Sequence, residues 1–222
     1  MKMINIAIDG PSGSGKSTLS RTAAAGLGYI YVDTGAMYRA IGLYIQRLGI
    51  DQNDTKGIIN RLAEIKIDLK YVDGEQLIYL NDENVSADIR THIISAYASA
   101  VSKIPQVREF LLDRQRDLAK ENHVIMDGRD IGTVVLPNAD VKIFLTASPE
   151  IRAKRRYNEL LERGQSIDFD TLLKDIIDRD YQDSHREIAP LKPSKNSIIL
   201  DTSELDFEQS LQKLMQIIKE NI

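Results

Sequence analysis

The chain contains no cysteine. Disulfides, thiolate metal sites and thiol nucleophiles are therefore excluded, and the composition suits a reducing compartment. No apolar run approaches the roughly 18 residues of a spanning helix, so no membrane partner is expected. The first apolar segment starts at Ile4, which leaves no room for a signal peptide, and a cytoplasmic location is expected. Excess basic charge is also missing: 29 Lys and Arg stand against 33 Asp and Glu, for a formal net charge of -4. That balance argues against a general nucleic-acid or membrane surface, so an anionic ligand must be met by locally gathered arginines. There is no repeat, no low-complexity tract and no guanine-reading N-K-x-D string. What is present is 222 residues with 42% hydrophobic content, enough for one full core with appended lobes in a single domain.

Apolar stretches of strand length recur at residues 4–8, 29–32, 124–126, 141–145 and 198–200, with helical patterns between them. This alternation predicts an α/β fold, a five-stranded parallel sheet with helices on both faces. Pro105 opens a helix over 106–119, Ser148-Pro149 opens another that closes at Gly164, and Asp206 caps a last one over 207–219. One interval breaks the rhythm. Residues 65–80 alternate apolar and polar, turn at Asp73-Gly74 and resume as an apolar stretch, which predicts an inserted antiparallel hairpin lobe.

Gly10-Pro11-Ser12-Gly13-Ser14-Gly15-Lys16-Ser17 fits G-x-x-x-x-G-K-[ST] directly after the first strand candidate. Glycines let backbone N–H groups crowd around phosphates, Lys16 reaches the β- and γ-phosphates, and Ser17 can offer its hydroxyl to Mg²⁺. Thr18 opens a helix whose N-terminal dipole favours an anion. The groups expected to bind ATP are therefore Gly10, Pro11, Ser12, Gly13, Ser14, Gly15, Lys16, Ser17 and Thr18.

Open α/β sheets bind ligands beyond the carboxyl ends of their strands, so the strand exits were read for chemistry. Asp33-Thr34-Gly35-Ala36-Met37-Tyr38-Arg39 reads on its own as a helix N-cap with a basic residue one turn in. Asp127, in Asp127-Gly128-Arg129-Asp130, stands where an acid could orient Mg²⁺ through water. Arg152, Lys154, Arg155, Arg156 and Arg163 gather on one helix-loop segment. By composition they read as a solvated face, yet Arg152 and Arg156 share a face, as a cationic lid over phosphates requires. Arg179 to Arg186 continue the charge. His185 sits beside Arg186 in this helical stretch. His92 and His123 show no metal or triad spacing.

Together these strings resemble the bacterial cytidylate kinases, nucleoside monophosphate kinases acting on CMP and dCMP. The strings include the P-loop, Asp33 to Arg39, Pro105-Gln106-Val107-Arg108, Asp127-Gly128-Arg129-Asp130-Ile131-Gly132-Thr133-Val134-Val135 and Ile188-Ala189-Pro190-Leu191. The likeness runs nearly the whole length, with Thr34 where serine is common. It implies a three-layer P-loop fold, with a core of residues 1–33, 85–147 and 190–222. A monophosphate-binding region with the β insert takes 34–84, and a helical lid takes 148–189. It implies Ser99, Arg108 and Asp130 around the cytosine edge, where a carboxylate accepting from N4 and a guanidinium donating toward N3 or O2 match cytosine and mismatch uracil. Thr34, Arg39, Arg129 and Arg186 fall on the acceptor phosphate, and Arg179 and Asp183 near the sugar hydroxyls. Lys16, Arg129, Arg186 and the lid arginines Arg152, Arg155 and Arg156 are expected to neutralise the transferring phosphoryl group, with Mg²⁺ at Ser17 and Asp127. The expected partners are ATP and CMP or dCMP, acting on a monomer. Another P-loop small-molecule kinase, a nucleotide switch and a protein that only holds ATP are the alternatives.

Overall fold

The protein is described here by a computed structural model over residues 2–72, 75–162, 164–165 and 167–222. The Asp73-Gly74 turn and Arg163 lie outside the described residues. In chain order the elements are β1 (Asn5–Asp9), α1 (Lys16–Leu27), β2 (Ile30–Asp33), α2 (Thr34–Arg47), α3 (Thr55–Arg61), β3 (Ile67–Val72), β4 (Glu75–Leu80) and β5 (Glu83–Asn84). There follow α4 (His92–Val101), α5 (Pro105–Glu121), β6 (Val124–Gly128), β7 (Val141–Thr146), α6 (Pro149–Glu162), α7 (Phe169–His185), β8 (Ile198–Asp201) and α8 (Phe207–Asn221). A π-helical turn, Ile131–Val135, stands between β6 and β7.

The main sheet has five strands in the order β2-β6-β1-β7-β8, all neighbours parallel. Side chains of a strand alternate between its faces, and a sheet covered on both sides must be apolar on both. Ile6, Ile8, Ile125, Ile143 and Leu145 pack with Leu19 and Ala23 of α1 and Leu214 and Ile218 of α8. Ala7, Val32, Val124 and Met126 pack on the other face with Ala119 of α5 and with Ile131 and Val135. This is the three-layer arrangement that the alternating sequence predicts.

The hairpin is present as well. β3 and β4 pair antiparallel from Ile67↔Leu80 to Val72↔Glu75, and β5 adds a short third strand. Its buried face, with Ile67, Ile78 and Leu80, belongs to a cluster that includes α2 and runs on through Ile94 and Val101 of α4 to Val107 and Leu111 of α5. The two helices α2 and α4 cross closely at Gly42, where a Cβ would stand 3.0 Å from the Ala98 nitrogen and the Tyr97 Cβ. Any side chain there would force the helices apart. The helices α6 and α7 pack on each other through Ala153, Leu160, Leu172 and Ile176. Among the described residues no helix is long and apolar enough to cross a membrane.

Histidine serves the fold. His123 Nδ1 accepts the Ile4 N–H at 3.0 Å, and its ring stacks on Tyr29 with centroids 5.1 Å apart. Asp140 pins the start of β1 in a related way: its Oδ2 accepts the Asn5 N–H at 2.9 Å while Lys2 Nζ bonds Oδ1. Burial opposes ionisation of Asp140, but Lys2 and the Asn5 amide hold its pKa below the ordinary 3.8. A carboxyl depressed in the folded state adds stability above its unfolded pKa, and that stability is lost as pH falls through the folded value. Asp140→Asn should therefore cost about 0.5–1 kcal/mol at pH 7, measured by denaturant unfolding. The difference from the parent should vanish below the carboxylate range; a cost of equal size at pH 3 and pH 7 would contradict the assignment.

Candidate active site

Residues 10–15 link β1 to α1 at one end of the sheet. The loop turns under the end of β7 so tightly that a Cβ on Gly10 would lie 2.0 Å from the Leu145 carbonyl oxygen. Lys16 is buried, and its Nζ donates to the Pro11 carbonyl at 3.1 Å. Burial, with Arg129 adding repulsion, lowers its pKa from 10.5 to about 7. A phosphate entering the loop would reverse that shift by favouring the ammonium form. Ser17 Oγ donates to Asp127 Oδ2 at 2.7 Å. Asp127 is buried at the end of β6, and burial together with the Asp33 charge pushes its carboxyl up to about 6.

A second group of polar and charged residues lies beside it, across the ends of β2 and β6. Thr34 Oγ1 donates to the Asp127 carbonyl at 2.8 Å. Asp33 serves twice. Its Oδ1 accepts the Ala36 N–H at 2.9 Å, the cap seen in the sequence, while Oδ2 pairs with Arg39 Nη2 at 2.8 Å. Burial works against the Asp33 charge, but Arg39 and the Ala36 amide outweigh it and hold the carboxyl below its usual value. Arg129 Nε pairs with Asp183 Oδ2 of α7 at 2.8 Å. Arg108, from α5, bonds Asp130 through Nη2 and the Ser102 carbonyl through Nη1. The same Asp130 has Arg186 Nη2 at 3.6 Å from its other oxygen, an ion pair longer than a hydrogen bond. Burial and the neighbouring Arg129 lower the pKa of Arg179, whose Nε is buried with no hydrogen-bond partner. Ser99 lies one turn before the end of α4, where its carbonyl accepts the Ser102 hydroxyl at 2.9 Å.

The arginines of α6 take different positions. Arg152 is 2% exposed. It donates to the Ala147 carbonyl at 2.8 Å and to the Ser12 carbonyl at 3.0 Å, and it forms a two-pronged pair with Asp180 of α7. Arg155 reaches the Ser14 carbonyl at 3.5 Å and the Thr202 carbonyl at 2.7 Å. Arg156 pairs with Glu159 at the surface. Arg152 and Arg155 therefore each bond a backbone carbonyl of the glycine-rich loop.

Thus the structure brings Lys16, Ser17, Thr34, Arg39, Asp127 and Arg129 to one end of the sheet, with Arg108, Asp130, Arg179, Asp183 and Arg186 adjoining. His185 stays outside, its ring stacked on Tyr181 and hydrogen-bonded to Ser184 and the Tyr181 carbonyl. Some members escaped sequence reasoning. Gln76 of β4 accepts the Asp33 N–H at 2.9 Å and so ties the lobe to the end of β2. Asp9 accepts the amides of Ile131 and Gly132, and Asp180 holds Arg152. Only Asp9 carried a signal, as an acid at a strand end immediately before the glycine loop.

The chain is similar to known proteins in sequence and in fold. A family model described as cytidylate kinase matches residues 6–220. A cytidylate kinase of Caldicellulosiruptor bescii is 52% identical over 217 residues, covering 98% of this chain and 96% of the relative. One from Lactobacillus johnsonii is 48% identical over 217 residues, covering 98% and 94%. Among solved structures, an uncharacterized protein from Eubacterium ventriosum aligns over 99% of each chain with a TM-score of 0.55 at 13% identity, a likeness of fold alone. With the family model spanning nearly its whole length and relatives about half identical, the chain belongs to the cytidylate kinase family.

Proposed function

We propose that the protein transfers the γ-phosphoryl group of ATP to CMP or dCMP, giving ADP and CDP or dCDP, and acts as a cytoplasmic monomer. One observation carries the acceptor half of this reading. Arg39 Nε, Arg179 Nε and Arg186 Nη2 are buried without a hydrogen-bond partner, near Asp33, Asp183 and Asp130 respectively. A buried donor left unpaired costs about 1–3 kcal/mol. A dianionic phosphomonoester supplies the missing acceptors, and the planar guanidinium forks suit it.

In this reading ATP lies on Gly10 to Thr18 and the acceptor phosphate on Thr34, Arg39, Arg129 and Arg186. Arg179 and Asp183 face the sugar, and Ser99, Arg108 and Asp130 face the base. An acceptor phosphate oxygen attacks the γ-phosphorus in line. It is already largely deprotonated at neutral pH, since the second phosphate pKa is near 6, so no side chain is needed as base. Catalysis is then positioning and charge neutralisation. Lys16 stands at the donor loop and Arg129 between it and the acceptor groups. Arg152 and Arg155 shape the loop from behind, and they meet the equatorial oxygens only by leaving the carbonyls of Ser12 and Ser14. Closure of the lid, 148–189, and of the region 34–84 over the core excludes water as a competing acceptor.

The donor end fits a Mg²⁺ ion carried by ATP. Asp127 keeps its carboxyl buried beside Asp33 and Ser17, an arrangement that a cation relieves. Among the described residues no group of three or more His, Asp or Glu could hold a metal ion by itself; this suits an ion completed by phosphates and water. Ser17 and Asp127, the latter through water, would hold it, and when bound it neutralises phosphate charge.

A coupled ADP-release assay over CMP, dCMP, UMP and AMP tests the activity. Turnover is expected with CMP and dCMP, and release with AMP alone would defeat the proposal. Lys16→Ala should lower kcat by about 10²–10³ while the melting temperature holds, because the lysine is buried at an electrostatic cost. A variant with parental kcat would remove Lys16 from the mechanism. Asp130→Asn should cut the CMP to UMP preference in kcat/KM by about tenfold or more and leave ATP binding intact. An unchanged preference would show that Asp130 does not read the base.

A further inference from the structure

Asp9 closes β1 one residue before the phosphate loop, and both of its carboxylate oxygens are in use. Oδ1 accepts the Ile131 N–H at 2.7 Å and Oδ2 accepts the Gly132 N–H at 2.8 Å. The residue is 3% exposed, and burial pushes its carboxyl up to about 6 against the opposing pull of these two amides. Ile131 and Gly132 open the π-helical turn that follows β6. Asp130, which precedes it, gives no side-chain cap, because its carboxylate is turned toward Arg108 and Arg186. The first N–H groups of a helical turn have no partner within it. Asp9 supplies the missing acceptors from a different strand.

The backbone between is thereby suspended from two points, both on Asp9. On one side Gly128 is paired with Asp9 in the parallel ladder of β1 and β6. On the other, the carboxylate holds the next two amides after Asp130. A two-oxygen, charge-assisted contact fixes direction as well as distance. Space around it is closed: a Cβ on Gly132 would lie 3.3 Å from Asp9 Oδ2 and 2.9 Å from Ser194 Oγ. Arg129 and Asp130 are the two residues held in this span, one paired to Asp183 and the other to Arg108.

We propose that Asp9 is a positioning residue for acceptor recognition. By holding the amides of Ile131 and Gly132 it sets the direction in which Asp130 presents its carboxylate to the cytosine edge and Arg129 its guanidinium to the acceptor phosphate. Its place immediately before Gly10 joins this base-reading segment to the donor loop. The assignment rests on the reading of Asp130 and Arg129 given above.

The test is Asp9→Asn, which keeps the size but offers one acceptor oxygen and turns an amide NH₂ toward the other backbone N–H. The CMP to UMP ratio of kcat/KM should fall by about tenfold or more, through a raised KM for CMP. Binding of a non-hydrolysable ATP analogue should change by less than about threefold. Asp9→Asn combined with Asp130→Asn should discriminate no worse than Asp130→Asn alone, since both act through one contact. Should Asp9→Asn fail to fold, Asp9→Ser leaves room for a water on the freed amide and is read in the same way. A folded variant with a lowered melting temperature but the parental CMP to UMP ratio overturns the assignment alone, as does an additive double variant. A parent protein with no preference for CMP over UMP overturns the base reading, and the assignment with it.

Discussion

Buried charge is the constraint on which this structure turns. The carboxyl end of the sheet collects Asp9, Asp33, Asp127, Asp130 and Asp183 together with Lys16, Arg39, Arg108, Arg129, Arg179 and Arg186, most of them largely withdrawn from water. An ion without water must find a partner or shift toward its neutral form. Both responses occur. Arg39 pairs with Asp33, Arg129 with Asp183 and Arg108 with Asp130, whereas Lys16 and Asp127 move toward neutrality. The site is thus held by its own carboxylates in positions that leave some guanidinium donors unspent. Under the proposed function a phosphate ligand need not assemble the arginines, because donors are already in place.

Polar side chains also join separate elements around the site. Arg152 connects the Ser12 carbonyl of the P-loop to Asp180 of α7, and Asp180 adjoins Arg179 and lies one turn before Asp183. Asp9 makes a second connection, from the strand before the loop to the turn after Asp130. Gln76 makes a third, from the hairpin lobe to the backbone of Asp33. In each case a polar side chain meets a main-chain group of another element, so a shift of one element is felt at the others. A sheet edge alone would not give this coupling, because its ladder stops at the strand ends.

The legible parts of the fold were those with local periodicity. The five apolar stretches are the five strands, within a residue or so at each end, because strands covered on both faces are apolar runs bounded by polar exits. The hairpin was legible from its alternation. Helix α4 escaped notice because its sequence, His92 to Val101, carries little polar contrast; its place is set by the close crossing at Gly42. Helix α3 and strand β5 are too short for a period to emerge. The π-helical turn depends on Asp9, far away in the chain, and no local pattern encodes it.

At the site, the glycine-rich motif was legible because it is confined to eight consecutive residues, Gly10 to Ser17. The arginines were legible as a charge surplus, and their individual roles only through the family likeness of the strings that contain them. The sequence by itself determined a parallel α/β core, a glycine-rich loop between its first strand and helix and an inserted hairpin, since each follows from residues close together in the chain. Only the tertiary structure decided which carboxylate meets which cation. Arg129 and Asp183 stand 54 positions apart and Asp9 and Ile131 stand 122 apart. Such partners are chosen by strand order and register, which place the ends of distant segments side by side, and no local spacing specifies that adjacency.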